Sequence, residues 1–402
     1  MRGWVAVALP WLVACGRIAF GELAPSGDGA PPGGDGASPD MTVDAFVPPS
    51  RVQCGKPNVR VTTSGNARSP RLVANGGGFG LAWVDTAGTT RFRRMDASGA
   101  PVGGEVVISG AAGETAVPAL AFVLDGYTIL WAEGQNPSVR FARLDAAGVP
   151  IGQSLRVSPQ ATARVDAITL AFTGGQYGFT WIGDGVLSFG RLDLAGAVLG
   201  TAPITGSVLA APAGNLVWNG SSFELAHTIN AVQGCPDNQW KVAVTAISEA
   251  GGVGAPQVVD SWAKLGFILC GEHRSVRVAQ AGAGYGIVFE RDENQSIAGT
   301  FAILDANGAK QGSNLAIGPA TRLPDVASSG TDFGVVWIDG AELVFARRGF
   351  GGTVVEPEFK VNDVAASVES PAILWTGDSY ALAWEDTRDG SGGEIYFALA
   401  CP

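Results

Sequence analysis

The chain has 402 residues, is 46% hydrophobic and 16% charged, and carries 58 glycines, 11 tryptophans and a formal net charge of −11. Apolar, glycine-rich and aromatic composition at this length suits a loop-rich all-β body with one extensive core. The acidic balance argues against nucleic acid as a partner, because that binding rests on Lys and Arg neutralising phosphates.

After Arg2, an apolar run from Trp4 to Ala14 is too short to cross a bilayer as a permanent helix, so residues 1–14 read as a signal peptide. The run ends in Leu12-Val13-Ala14-Cys15-Gly16, which resembles the lipobox of bacterial lipoproteins, with the Cys15 thiol as lipid acceptor. Residues 21–50 are rich in Gly, Pro, Ser and Asp and poor in large apolar groups, so segment 15–50 is expected to be a lipidated tether. These features predict an exported protein held at the outer membrane or cell surface by lipid.

From residue 51 onward the chain repeats itself at roughly 46 to 50 residues, the spacing of four-stranded propeller blades. The clearest units carry an aromatic, an aliphatic and a Trp on alternate positions, the fourth instance being degenerate and the fifth having Phe in place of Trp. The series runs Phe79-Leu81-Trp83, Tyr127-Ile129-Trp131, Tyr177-Phe179-Trp181, Phe223-Leu225-His227, Tyr285-Ile287-Phe289, Phe333-Val335-Trp337 and Tyr380-Leu382-Trp384. Slim residues such as Gly80 and Ala82, or Gly334 and Val336, fill the intervening places. Period two marks a strand, and here it sorts bulky from flat, as radially nested blades require. An apolar strand lies upstream, often opened by Pro (Pro70, Pro118, Pro324, Pro371), and a third strand downstream ends in Asp-x-x-Gly at Asp96, Asp145, Asp193 and Asp305. Fourth strands are expected at Glu105–Ser109, Leu155–Ser158 and Phe359–Asn362.

The seventh repeat stops at Cys401-Pro402 after three strands, while residues 57–64 resemble the fourth-strand segments 154–159 and 358–363. Residues 51–402 therefore predict a monomeric seven-bladed β-propeller of four-stranded blades, its last blade closed by the N-terminal strand. With Cys15 set aside for lipid, Cys54, Cys235, Cys270 and Cys401 can pair in three ways. The closure sets Cys54 beside Cys401, so the register selects Cys54–Cys401 and leaves Cys235–Cys270 to bracket the fourth blade.

With the W-x-D/E endings Trp83-Val84-Asp85, Trp337-Ile338-Asp339 and Trp384-Glu385-Asp386, residues 57–402 resemble the repeat-type β-propeller lipoproteins of the Gram-negative envelope. The resemblance implies a propeller and an envelope address but no ligand, since fold does not imply function.

The chemistry that remains is sparse. Arg93, Arg94, Arg140, Arg143, Arg191, Arg347 and Arg348 recur on third strands and are expected to pair outward with acidic turns. His227 replaces a core Trp and reads as a core imidazole, leaving His273 as the one loop histidine. Asp386, Asp389 and Glu394 form a weak calcium candidate whose spacing matches no established loop. The interval from His227 to Phe289 is the longest between repeats, and its insertion offers Asp237, Asn238, Trp240, Glu272 and His273 as candidate ligand contacts, with Trp240 and Trp262 as replacement core the blander reading. No catalytic constellation or cofactor is implied. The expected function is a binding or scaffold module for a protein or glycan partner; the alternative is an envelope hydrolase or lyase acting on glycans or peptides.

Overall fold

The computed structural model describes residues 57–109, 117–162, 164–204, 214–230, 239–263, 274–282, 284–293, 296–318, 320–390 and 392–401. A two-residue strand, β1 (Val59–Arg60), precedes the first blade, formed by β2 (Ala67–Ala74), β3 (Gly78–Asp85), β4 (Thr90–Asp96) and β5 (Pro101–Val107). Blade two is β6 (Ala119–Val123), β7 (Gly126–Glu133), β8 (Ser138–Asp145) and β9 (Pro150–Arg156); blade three is β10 (Val165–Phe172), β11 (Tyr177–Gly183), β12 (Val186–Leu192) and β13 (Val198–Pro203). Blade four is β14 (Leu216–Trp218), β15 (Ser222–Asn230), β16 (Gln239–Ser248) and β17 (Gln257–Ala263); blade five is β18 (Arg274–Ala281), β19 (Gly284–Glu293), β20 (Ser296–Asp305) and β21 (Lys310–Ala316). Blade six is β22 (Thr321–Ser328), β23 (Asp332–Asp339), β24 (Glu342–Gly349) and β25 (Val354–Lys360), and the last blade holds β26 (Val368–Trp375), β27 (Tyr380–Asp386) and β28 (Glu394–Ala400). Every sheet is an antiparallel meander of four, and β1 completes the last one in the order β1-β28-β27-β26. The molecule is a seven-bladed β-propeller closed by its N-terminal strand. Among the described residues no helix is long and apolar enough to cross a membrane.

The alternating triples form the second strand of each blade, and their large members are buried, with Trp83, Trp131, Trp337 and Trp384 at most 1% exposed. The slim residues between them make room for the next blade. A methyl group on Gly80 would fall 2.4 Å from Cε1 of Tyr127, on Gly178 2.4 Å from Phe223, and on Gly334 2.5 Å from Tyr380. The core is consequently not one mass, as composition alone suggests, but a slab at each blade-to-blade interface. Phe92 of blade one packs with Tyr127, Ile129 and Trp131 of blade two, and Trp83 of blade one packs with Phe397 of the last blade.

The Asp-x-x-Gly segments are the turns between third and fourth strands. Asp96 Oδ1 accepts from the N–H of Ser98 and Ala100, and Gly99 takes φ +83°, where a Cβ would strain the chain. Asp145, Asp193 and Asp305 make the equivalent bonds. Outer strands begin directly after the turns, at Pro101, Pro150 and, behind the glycine-built turn at 349–352, Val354, several residues ahead of the segments marked by sequence. Their early residues face solvent, as the exposure of Val102, Ile151 and Val354 shows, so no apolar period announces them.

Closure is also shorter than the expected 57–64 strand: β1 pairs only Val59 with Phe397 and Arg60 with Tyr396. Beyond it, Val61 N donates to Ile395 O at 2.8 Å, the same bond made by Val157 to Val139 O and Val361 to Leu343 O. The following polar residue caps the third strand in each case. Thr62 Oγ1 accepts from Ile395 N, as Ser109 does from Thr90, Ser158 from Val139 and Asn362 from Leu343.

Candidate functional site

The inner strands are bent at one register. β2, β10, β18, β22 and β26 each carry a bulge, and Ser69, Ala167, Ser275, Leu323 and Ser370 there adopt positive φ between 49° and 56°. A non-glycine residue in that region costs on the order of 1 to 3 kcal/mol, so surrounding contacts must hold it. A carboxylate from the preceding blade does so at the β22 bulge, where Glu290 accepts the Leu323 N–H; at the β2 bulge the Ser69 N–H acts on the Glu385 carboxylate and favours its ionised form. Burial pushes Glu385 up to about 6 against the pull of Arg68, with Glu369 adding to the rise.

At the register just past these bulges each blade has one equivalent residue, immediately before the partner of the middle member of the triple. These are Arg71, Ala119, Thr169, Asn215, Arg277, Asp325 and Ala372. Asn215 donates to Val278 O at 2.7 Å, and Asp325 Oδ2 accepts from Ile373 N at 3.2 Å, so both reach the inner strand of the next blade. Asp325 Oδ1 accepts from Val326 N at 2.9 Å and lies 3.8 Å from Arg277 Nε. Arg71 donates to Pro70 O at 2.9 Å. No carboxylate of the described residues lies within ion-pair distance of it.

Arg71 nevertheless senses both of the others. Burial and repulsion from Arg277 bring its guanidinium down to about 10, with Asp325 opposing. Burial likewise raises Asp325, against the pull of Arg277 and then Arg71. Arg71 belongs to blade one and Arg277 to blade five, which are not neighbours in the ring, so they act on each other from the shared register of the innermost strands and not through a blade-to-blade contact. The Arg277 and Asp325 side chains remain 20% and 15% accessible, which places them on a solvent-reached axial channel. Two guanidinium groups and one carboxylate thus converge on the innermost strands.

Of the residues singled out by sequence, Cys15, Cys54, Cys235, Cys270, Asp237, Asn238, Glu272 and His273 lie outside the described residues. Trp240 sits in β16 opposite Trp262 in β17, and Cys401 directly follows β28. Asp386, Asp389 and Glu394 are engaged with protein groups. Asp386 accepts from Trp384 Nε1 and Arg388, Asp389 pairs with Arg60 and Tyr396, and Glu394 accepts from Arg60, Thr62 Oγ1 and Gly65 N. Among the described residues no three His, Cys, Asp or Glu side chains gather as a metal site.

The third-strand arginines depart from expectation. Arg140 and Arg347 do meet Glu133 and Asp332. Arg93 donates instead to the carbonyls of Val61 and Gly103, Arg94 to that of Ala146, and Arg348 to those of Arg347 and Glu356. They clamp irregular backbone more often than they neutralise acids. The open depression of about 470 Å³ lined by Glu133, Asn136, Arg140, Arg156 and Gln160 is polar, without the apolar wall typical of small-molecule pockets.

His227 is 1% exposed, with Nε2 2.8 Å from Thr245 Oγ1 and Nδ1 lacking a partner. Burial lowers it from 6.5 to about 4, so it is neutral at pH 7. The unfolded chain takes up this proton as pH falls through 6.5, whereas the folded one does so only near 4. Stability is therefore fully present above 6.5 and lost on acidification, by about 2 to 3 kcal/mol at pH 4. Urea midpoints at pH 7 and pH 4 should differ less in His227→Gln than in wild type; an unchanged difference would remove His227 as the source.

No protein-family model matches the chain, and no curated protein matches its sequence. Solved structures share its fold. A polysaccharide lyase, Uly1, superposes with a TM-score of 0.53 at 11% identity, covering 85% of this chain and 91% of that one. The β-propeller domain of the Trilobed protease from Pyrococcus furiosus, described as having an open velcro topology, gives 0.52 at 8% identity, covering 83% and 95%. At such identities the likeness is one of propeller architecture.

Proposed function

We propose that this chain is an exported lipoprotein whose propeller is a binding module, held at the outer membrane or cell surface through lipid on Cys15 and a tether over 15–50. The observation that carries the binding role is the axial cluster. Guanidinium groups and a carboxylate orient a ligand, while His227, the one described imidazole, is sealed in a blade core and Cys401 lies at the last blade's outer strands. General acid–base or nucleophilic work needs such groups within reach of one another. The ring is further proposed to be fastened by Cys54–Cys401, supported by Cys401 following the strand that β1 joins, with Cys235–Cys270 linking the ends of the fourth-blade insertion.

One preparation tests the reading. The full chain is recovered from detergent-solubilised envelope, mapped by non-reducing peptide mass spectrometry and used to capture partners and probe a glycan array. The map should show acylated Cys15 and a Cys54–Cys401 peptide, and capture should be saturable and competed by free ligand. Turnover of a glycan or peptide without retained ligand would replace the binding module with an enzyme.

A further inference from the structure

The axial cluster does not close on itself electrically. Arg71 and Arg277 bring two positive charges to the channel, and Asp325 returns one negative charge that is also occupied by the N–H groups of Val326 and Ile373. Among the described residues Arg71 has only the Pro70 carbonyl as a bond partner, so most of its donors are not engaged by them. An uncompensated guanidinium is costly away from bulk water, and a second one opposite increases the cost. The bulges that precede these three positions are built from strained backbone, held at Leu323 by Glu290.

We propose that the axial channel binds a small organic carboxylate, whose single negative charge lies between Arg71 and Arg277, with Asp325 fixing the Arg277 fork. One net positive charge matches a monoanion, and a planar guanidinium presents parallel N–H donors to the two oxygens of a carboxylate. Asp325 excludes dianions, because a second negative charge would face its carboxylate with no further cation in the cluster. This inference names the ligand chemistry of the binding role proposed above and rests on that reading. A channel that ignores carboxylates would leave capture of an envelope partner by another surface intact.

The test is calorimetry on the full chain with glucuronate, lactate, glucose and inorganic phosphate. Glucuronate or lactate should bind and raise the melting temperature, glucose should not, and affinity should fall as salt rises. A response to glucuronate without lactate assigns a sugar acid, and the reverse assigns a short hydroxy acid; both support the proposal. Arg71→Gln should weaken binding at least tenfold. Asp325→Asn should tighten it severalfold, a direction that damage to the fold would not produce. Absence of binding by both carboxylates, equal binding of glucose or phosphate, or affinities unmoved by the two substitutions would overturn the assignment.

Discussion

Glu394→Ala should cost about 3 to 4 kcal/mol and loosen the N-terminal strand, because it removes a buried acceptor on which several donors depend. Glu394 is 2% exposed and opens β28. Its Oε1 accepts from Arg60 Nη2 and Gly65 N, both at 2.6 Å, and its Oε2 accepts from Thr62 Oγ1 at 2.5 Å. Arg60 stays partly in water and keeps Asp389 at 3.1 Å, so the ion pair itself contributes little. The loss comes from Thr62 and Gly65, whose donors would be left beside a cavity. Those residues tie the chain entering the ring to its last strand, so trypsin should cut after Arg60 faster in the variant, while Glu394→Gln, which keeps one acceptor, loses about half as much. Unchanged cleavage at Arg60 would mean that β1 is held by other contacts.

Glu394 illustrates which parts of this fold were legible in the sequence. The triples from Phe79-Leu81-Trp83 to Tyr380-Leu382-Trp384 were visible because burial on both faces of a strand imposes a strict size alternation, and the turns at Asp96 or Asp305 because their hydrogen bonds need those residue types. The return of residues 57–64 to the last blade was visible in Val61-Thr62, which repeats Val157-Ser158 and Val361-Asn362. The same acid nevertheless read as a calcium candidate. Its true partners, Arg60, Thr62 and Gly65, lie more than 300 residues away in the chain, and only ring closure brings them together.

The axial cluster was hidden for a related reason. Arg71, Arg277 and Asp325 share a register set by bulges, but the same register holds Ala119, Thr169, Asn215 and Ala372, so no repeated residue marks it. A position facing an axis obeys no blade-packing rule and is free to vary. That freedom is what allows a ring of similar blades to carry one dissimilar site. The third-strand arginines show the converse, since their recurrence reflects backbone carbonyls left open by bulges in the outer strands.

Phe92→Ala should destabilise the interface between the first two blades by about 3 to 5 kcal/mol, because it empties a fully buried ring site. The Phe92 ring lies 4.6 Å from that of Tyr127, and a methyl on Gly148 would fall 2.8 Å from its Cε1, so the cavity would open beneath both a strand and a turn. Gly80→Val should harm the same interface by the opposite route. Its Cβ alone would meet Tyr127 at 2.4 Å and Phe92 at 3.0 Å, an overpacking worth roughly 1 to 3 kcal/mol. Because the valine would project toward the space that Phe92 vacates, the two losses should not add. The double variant should be more stable than the sum of the single costs by at least 1 kcal/mol, read from urea midpoints in a double-mutant cycle. A second arm sets the scale: Val107→Ser, at an exposed outer-strand position, should change stability by less than about 0.5 kcal/mol. Strict additivity of Phe92→Ala and Gly80→Val would mean that the bulky and flat faces do not share one packing space, and the nesting that organises the ring would have to be argued from something else.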